Sequence, residues 1–215
     1  MAAVRARPLM TRALPLVLAA CLLPAGPVHA KPKDQERWDS KYDTGDYLFG
    51  KEPIRFLKEH VHLLPKGRAL DIAMGEGRNG VFLAAQGFQV LGLDISEKGL
   101  RKARKLAEER GVTIETRVVD LETHRLEPNA YDVILCTYYL QRSLFPQIKE
   151  ALKPGGMALV ETYTLRHQKY NPKMKAEYLL QEDELPALLE GLKVVLYQTV
   201  DDGESAYASI LVQKP

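Results

Sequence analysis

Twelve residues, Ala69 to Gly80 (ALDIAMGEGRNG), restrict the fold of this chain more than any other segment. An apolar run of strand length runs into Gly75 and Gly77, and a helix start follows at once. Glycine accepts the turn dihedrals that other residues resist. A helix N-terminus behind such a turn presents backbone N–H groups to a ligand. Asp71 lies on the strand just before the turn, and a second acid, Asp94, ends the next apolar run. The pattern predicts a cradle for a nucleotide-type cofactor.

The remaining segments repeat a strand–helix alternation. Pro53 to His62 reads as a helix with Pro in its first turn and Ile54, Leu57 and Val61 at helical spacing. Trp38 to Gly50 is aromatic and polar, a loop or short helix. Strands are predicted at Arg68–Ala73, Phe88–Leu93, Val112–Val119, Tyr131–Thr137 and Met157–Thr162. Helices are predicted at Arg78–Gln86, from Ser96 (N-cap) to Gly111 (stop), and at Ser143–Leu152. Lys153 to Gly156 reads as a turn. Tyr163 to Leu180 is irregular, broken by Asn171-Pro172, and Glu182–Glu190 is a short helix. Leu192–Val200 and Ser205–Val212 flank Asp201-Asp202-Gly203-Glu204, a hairpin signal. The expected fold is α/β: a three-layer Rossmann-like sandwich with a mostly parallel seven-stranded sheet and one antiparallel strand near the C-terminus.

Residues 1–30 read as an export signal. Arg5, Arg7 and Arg12 precede the apolar run Ala13 to Leu23, which is too short to span a bilayer, and Val28-His29-Ala30 approximates a cleavage site. Leu18-Ala19-Ala20-Cys21 also resembles a lipoprotein box with Cys21 as the lipid carrier. A cytoplasmic protein with a misassigned start, or an uncleaved anchor, are the other readings. Without this segment the charge balance is 27 basic against 28 acidic residues. No basic stripe remains, so nucleic acid is not the expected partner. No later segment is expected to span a membrane. The two cysteines, Cys21 and Cys136, provide neither metal spacing nor a disulfide framework. Cys136 sits in an apolar strand and reads as core packing.

Gly75, Gly77 and Gly80 satisfy G-x-G-x-x-G, which also describes a dinucleotide site. Three features separate the readings. A pyrophosphate gains nothing from a carboxylate at Asp71, whereas an ammonium does. A third acid, Asp120, follows the third strand, so acids end strands one, two and three, which suits an amine, a ribose diol and an adenine amine. The roughly 185 residues after the signal leave no room for a separate catalytic domain.

On these residues the sequence resembles the class I S-adenosylmethionine-dependent methyltransferases, and within them the tellurite-resistance-like branch. The resemblance is carried by ALDIAMGEGRNG, by Val90 to Ser96 (VLGLDIS), by Val118 to Glu122 (VVDLE), by Tyr131 to Leu135 (YDVIL), by Leu152 to Thr164 (LKPGGMALVETYT) and by the opening WDSKYDTGDYLFGKEP. It divides the chain into a signal (1–30), a cap or lid segment (31–66) and a methyltransferase domain (67–215). It implies that Asp71, Gly75 and Gly77 hold the methionine part of S-adenosylmethionine. Asp94 would take the ribose hydroxyls, Ile95 would lie beside the adenine, Asp120 would receive the adenine amine and Leu121 would pack on the ring. Cys136, or the Thr137 that follows, would supply backbone near the sulfonium. Arg78 and Asn79 would reach the cofactor carboxylate, or cap the helix and bind the neighbouring loop. The sequence departs from the commoner Asp-x-Gly-x-Gly pattern at Ala73 and Met74. Simpler readings stand beside these: Asp94 as a helix cap, and Asp120 as a turn acid.

Methyl transfer from a sulfonium needs donor and acceptor held about 3 Å apart and water excluded. A base is needed only if the acceptor must lose a proton. Tyr138, Arg142 and His167 follow strands four and five and are the candidates on the acceptor side. Arg142 would attract an anion or pair with an acid such as Glu150. His167 would act as a base or be merely solvated. Trp38, Tyr42 and Tyr47 would form a lid or pack in place. An Asn/Asp-Pro-Pro-Tyr motif for base methylation is absent; Thr137-Tyr138-Tyr139-Leu140 stands there. The expected activity is methyl transfer to a small-molecule or chalcogen acceptor by a monomer or homodimer. An exported module that binds S-adenosylmethionine or another adenosine-type ligand without turnover, and a small NAD-dependent oxidoreductase, are the competing readings.

Overall fold

The computed structural model describes residues 33–215, so the export reading of residues 1–30 lies outside the described residues. Seven strands form one sheet in the order β3-β2-β1-β4-β5-β7-β6. They are β1 (Arg68–Ile72), β2 (Gln89–Asp94), β3 (Glu115–Val118), β4 (Tyr131–Thr137), β5 (Leu152–Tyr163), β6 (Lys193–Asp201) and β7 (Ala206–Gln213). From β3 across the sheet to β5 neighbouring strands are parallel, and β7 lies antiparallel between β5 and β6. The expected single reversed strand is β7.

Helices α1 (Lys33–Tyr42), α2 (Arg55–His60), α3 (Arg78–Ala85), α4 (Glu97–Glu109), α5 (Phe145–Ala151) and α6 (Glu184–Leu188) cover the two faces. Side chains alternate across each strand, so the core divides in two. Leu70, Ile72, Ile134, Cys136 and Val160 face α5 and α6 with Phe145, Ile148 and Leu185. Ala69, Val133, Leu135 and Leu159 face α2, α3 and α4 with Leu57, Leu83, Leu100 and Ala103. Strands buried on both faces are mostly apolar, which is why β1 and β4 read as apolar runs interrupted only by Asp71 and Asp132.

Most boundaries shift by a residue or two from the sequence reading, and three differ for a visible reason. Helix α1 starts at Lys33, ahead of the loop or short helix expected over Trp38 to Gly50, and Asp39 docks it on the start of α4: its Oδ1 accepts the Ser96 hydroxyl at 2.6 Å and the Lys98 N–H at 3.2 Å. Strand β3 starts at Glu115 rather than Val112, because the Val112 N–H closes α4 on the Ala107 carbonyl (2.9 Å) after Gly111 turns left-handed at φ 69°. Strand β5 already begins at Leu152, and Lys153 to Gly156 is absorbed into it through bonds between Gly155, Gly156 and Lys214. Among the described residues no helix is long and apolar enough to cross a membrane.

Candidate functional site

The carboxyl ends of β1, β2 and β4 meet at the glycine turn. Such sheet edges are where ligands of open α/β folds bind. Two non-glycine residues there adopt left-handed backbone: Ala73 (φ 54°), directly after β1, and Tyr138 (φ 54°), directly after β4. Each costs about 1–2 kcal/mol, so the surrounding structure must hold it.

Contrary to the sequence reading, the turn's amides are not bare. Met74 N–H donates to the Leu93 carbonyl (2.9 Å), Gly75 N–H to Asp94 Oδ2 (2.7 Å) and Gly77 N–H to the Met74 carbonyl (3.1 Å). A pyrophosphate would find these donors occupied and two buried carboxylates nearby, which disfavours the dinucleotide reading. The three glycines also serve different ends. A Cβ on Gly75 would lie 2.7 Å from the Tyr42 hydroxyl, so the turn is roofed by α1. Gly77 (φ 88°) packs on α4; a Cβ there would meet Ala103 Cβ at 2.6 Å and Ala103 Cα at 2.9 Å. Gly80, together with Gly92 on β2, leaves the space that the Met74 thioether fills. The departure from the commoner pattern at Met74 is thus matched by two glycines across from it.

Asp71 is 1% exposed, and its Oδ2 accepts no hydrogen bond. Burial pushes its pKa up to about 7; the Asp94 charge adds to this, while the nearby Gly80 N–H and Arg78 oppose it. An orphaned, buried carboxylate oxygen beside the turn is a place for a cationic group, and it fits the ammonium of S-adenosylmethionine. Asp94 is buried at the end of β2, with Oδ1 accepting the Ser96 N–H (2.8 Å) and Oδ2 that of Gly75. Burial raises its pKa against the pull of these amides. The Ile95 N–H also acts on this carboxylate, and of its roughly four acceptor positions at least one remains for a hydroxyl donor. The helix cap read as an alternative for Asp94 is supplied by Ser96 Oγ, which accepts the Gly99 N–H at 3.1 Å. Ile95 is half-buried beside it, and Leu121 is buried at the end of the β3 connection. Asp120, half-buried, forms a turn: its Oδ1 accepts the Glu122 N–H at 2.9 Å, leaving Oδ2 available.

Asn79 binds the neighbouring loop. Its Oδ1 accepts the Ile54 N–H (2.9 Å) and its Nδ2 donates to Thr137 Oγ1 (2.9 Å), tying the segment before α2 to the end of β4. Arg78 donates to the Phe49 carbonyl at 3.0 Å and lies against the rings of Phe49 and Tyr138. The Cys136 thiol is buried and donates to the Tyr139 carbonyl at 3.4 Å; burial pushes its pKa up to about 12, so it is core rather than nucleophile. Trp38 stacks on Tyr42 (5.5 Å), Tyr42 is buried, and the Tyr47 hydroxyl donates to the Lys102 carbonyl (3.0 Å), so all three pack in place. Glu76, between the first two glycines, is buried against Lys102 Nζ at 2.8 Å.

The acceptor-side candidates separate. Arg142 is clamped by Glu184 (Nε to Oε1 2.5 Å, Nη2 to Oε2 2.9 Å) and by the carbonyls of Glu177 and Leu179. Its fork is occupied in holding the irregular segment to α6, with Glu184 rather than Glu150 as its acid. His167 is buried rather than solvated. It stacks on Tyr163 at 3.9 Å, its Nδ1 accepts the Ala206 N–H (3.3 Å), and burial depresses its pKa. Tyr138 alone of the three lines an open cavity, of about 430 Å³, together with Arg78, Phe49, Tyr207 and Glu161. Glu161 was not among the sequence candidates; a single acid in the apolar strand Met157 to Thr162 was the signal available.

Residues 69–156 match the family model described as "Methyltransferase domain". The chain is 32% identical over 138 residues to a ubiquinone biosynthesis O-methyltransferase of Burkholderia vietnamiensis, covering 60% of this chain and 59% of that protein. It is 31% identical over 159 residues to the enzyme of that name from Bordetella bronchiseptica, covering 67% and 64%. It thus spans about three fifths of the length of these curated relatives. Among solved structures, TehB from Haemophilus influenzae aligns with TM-score 0.66 at 18% identity, over 84% of this chain and 67% of that one. The geranyl diphosphate C-methyltransferase of Streptomyces coelicolor, solved with S-adenosyl-L-homocysteine, aligns with TM-score 0.60 at 16% identity over 74% and 78%. With a seven-stranded sheet reversed only at β7 and this match over residues 69–156, the chain carries a methyltransferase domain on the fold that its structural neighbours share.

Proposed function

We propose that this protein transfers the methyl group of S-adenosylmethionine to a small-molecule acceptor. The observation that carries this reading is the buried, donor-less Oδ2 of Asp71 beside the glycine turn, a counter-charge for an amino-acid ammonium. In this reading Asp71, Gly75 and Gly77 hold the methionine end, Asp94 the ribose diol, and Ile95, Asp120 and Leu121 the adenine. Arg78 serves the carboxylate from the first turn of α3. When bound, the cofactor supplies an electrophilic methyl on a sulfonium whose departing thioether is neutral. The chain's own task is then to orient and to exclude water, which the roof of Tyr42 over Gly75 and the Asn79 tie between Ile54 and Thr137 serve.

Two acceptor chemistries fit. The sequence relatives are named O-methyltransferases, which favours an oxygen acceptor. The tellurite-resistance-like sequence pattern favours a chalcogen. Export of the chain, with cleavage after Ala30 or lipidation at Cys21, belongs to the same proposal. Mass measurement of the mature N-terminus tests it: an intact Met1 overturns both cleavage after Ala30 and lipidation at Cys21.

Calorimetry with S-adenosylmethionine and S-adenosylhomocysteine tests the binding, with micromolar affinity expected and its loss in Asp94→Ala. Radiolabelled transfer to a panel of phenols, thiols, selenite and tellurite tests the catalysis. Cofactor bound without any labelled product would reduce the protein to a binding module, the role an exported chain lacking a cofactor supply would suit.

A further inference from the structure

Glu161 is 2% exposed on β5, in the middle of the sheet, and none of the ion pairs among the described residues includes it. Its carboxylate is held by two hydroxyls: Tyr138 OH donates to Oε1 at 2.8 Å and Ser209 Oγ donates to Oε2 at 2.7 Å. The backbones are locked to match. Tyr138 N–H donates to the Glu161 carbonyl at 2.7 Å, and Glu161 stands opposite Ser209 in the β5–β7 register. A buried carboxylate without a cation costs stability, and an apolar residue at this strand position would avoid the cost. Yet the chain holds a tyrosine in left-handed backbone and presents this acid to a cavity.

We propose that Tyr138 and Glu161 form a proton-accepting pair for the methyl acceptor, which makes the acceptor a protonated hydroxyl compound of the phenol type rather than a ready-made anion. This rests on the methyltransferase reading above. The acceptor's O–H proton passes to the Tyr138 oxygen while the Tyr138 proton passes to Glu161 Oε1. The freed oxygen lone pair forms the new O–C bond, and the electrons of the breaking C–S bond stay on sulfur. Tyr138 cannot serve alone, because burial and the Glu161 charge push its pKa well above the usual phenol range. Glu161 is the stronger carboxylate base for being buried, its pKa raised despite the Ser209 and Tyr138 hydroxyls and the Arg78 charge. The other groups facing it are the phenols of Tyr163 and Tyr207, with Asp202 at the cavity rim.

The test compares methyl transfer to simple phenols, which must lose a proton, with transfer to hydroselenide, which need not. Glu161→Gln and Tyr138→Phe are expected to lose about 100-fold or more on phenols and less than about tenfold on hydroselenide. Affinity for S-adenosylhomocysteine should stay within about twofold of wild type, showing that the variants fold. The wild-type phenol profile should carry an acid limb that is absent in Glu161→Gln, whose rate climbs towards wild type as the phenol ionises by itself. Ser209→Ala, a milder change, should move that limb to higher pH. Equal losses on both acceptors, no loss on either, or a wild type that methylates hydroselenide but never a phenol would each overturn the pair. Absence of cofactor binding, or of transfer to every acceptor, would instead overturn the methyltransferase reading itself and the pair with it.

Discussion

Replacing Asp71 with asparagine should make the protein more stable, and increasingly so as pH rises. The native carboxyl holds its proton up to about pH 7, whereas the unfolded chain releases it near 3.8. Between those values the native state binds the extra proton, so raising the pH favours unfolding. Each unit of the roughly three-unit window is worth about 1.4 kcal/mol, which sets a ceiling of about 4 kcal/mol on the strain from this one group. The amide of the Asp71→Asn variant carries no such charge. Urea unfolding of both proteins at pH 5, 6, 7 and 8 should show the variant's advantage growing by up to about 1.4 kcal/mol per unit to pH 7, then levelling. The cofactor arm has the opposite sense. An ammonium stabilises the ionised carboxylate, so wild-type affinity should rise between pH 5 and 7. It should fall above about pH 8 as the ligand's amino group deprotonates. The variant should bind more weakly, without the rising limb. Parallel unfolding curves for the two proteins, their separation constant within about 0.5 kcal/mol, would refute the claim that burial of Asp71 outweighs the Gly80 N–H and Arg78 that oppose it.

Gly77→Ala should cost more than about 2 kcal/mol in unfolding free energy, because the new methyl meets Ala103 backbone and the residue keeps φ 88°; a change below about 1 kcal/mol would show that α4 yields. Ala73→Gly should stabilise by up to about 1 kcal/mol in the same assay by relieving the left-handed backbone after β1, glycine's extra unfolded-state freedom offsetting part of the gain. Arg142→Ala should lose about 1–2 kcal/mol while leaving cofactor affinity unchanged in calorimetry, and Arg142→Lys should restore little of it, since the bidentate hold on Glu184 needs the planar fork.

The sheet, the reversed strand near the C-terminus and the acids Asp71, Asp94 and Asp120 were legible in the chain because each rests on neighbours in sequence. Burial on two faces demands near-continuous apolar runs, turns demand glycine, and an acid near a strand end stands out against the run around it. What the side chains around them do depends on partners far along the chain, which local patterns do not encode. Tyr138 and Glu161 are 23 residues apart and Glu161 and Ser209 are 48 apart, yet strand order places them in one bonded group. The same packing closed the amides of the glycine turn, gave Gly77 to α4 and Gly80 to Met74, and turned Arg142 and His167 from reactive candidates into struts. The linear chain thus determined that a glycine turn and a set of acids gather at the carboxyl edge of a parallel sheet. Only the tertiary structure decided which carboxylates there lack partners, because desolvation and hydrogen bonding are properties of the assembled neighbourhood.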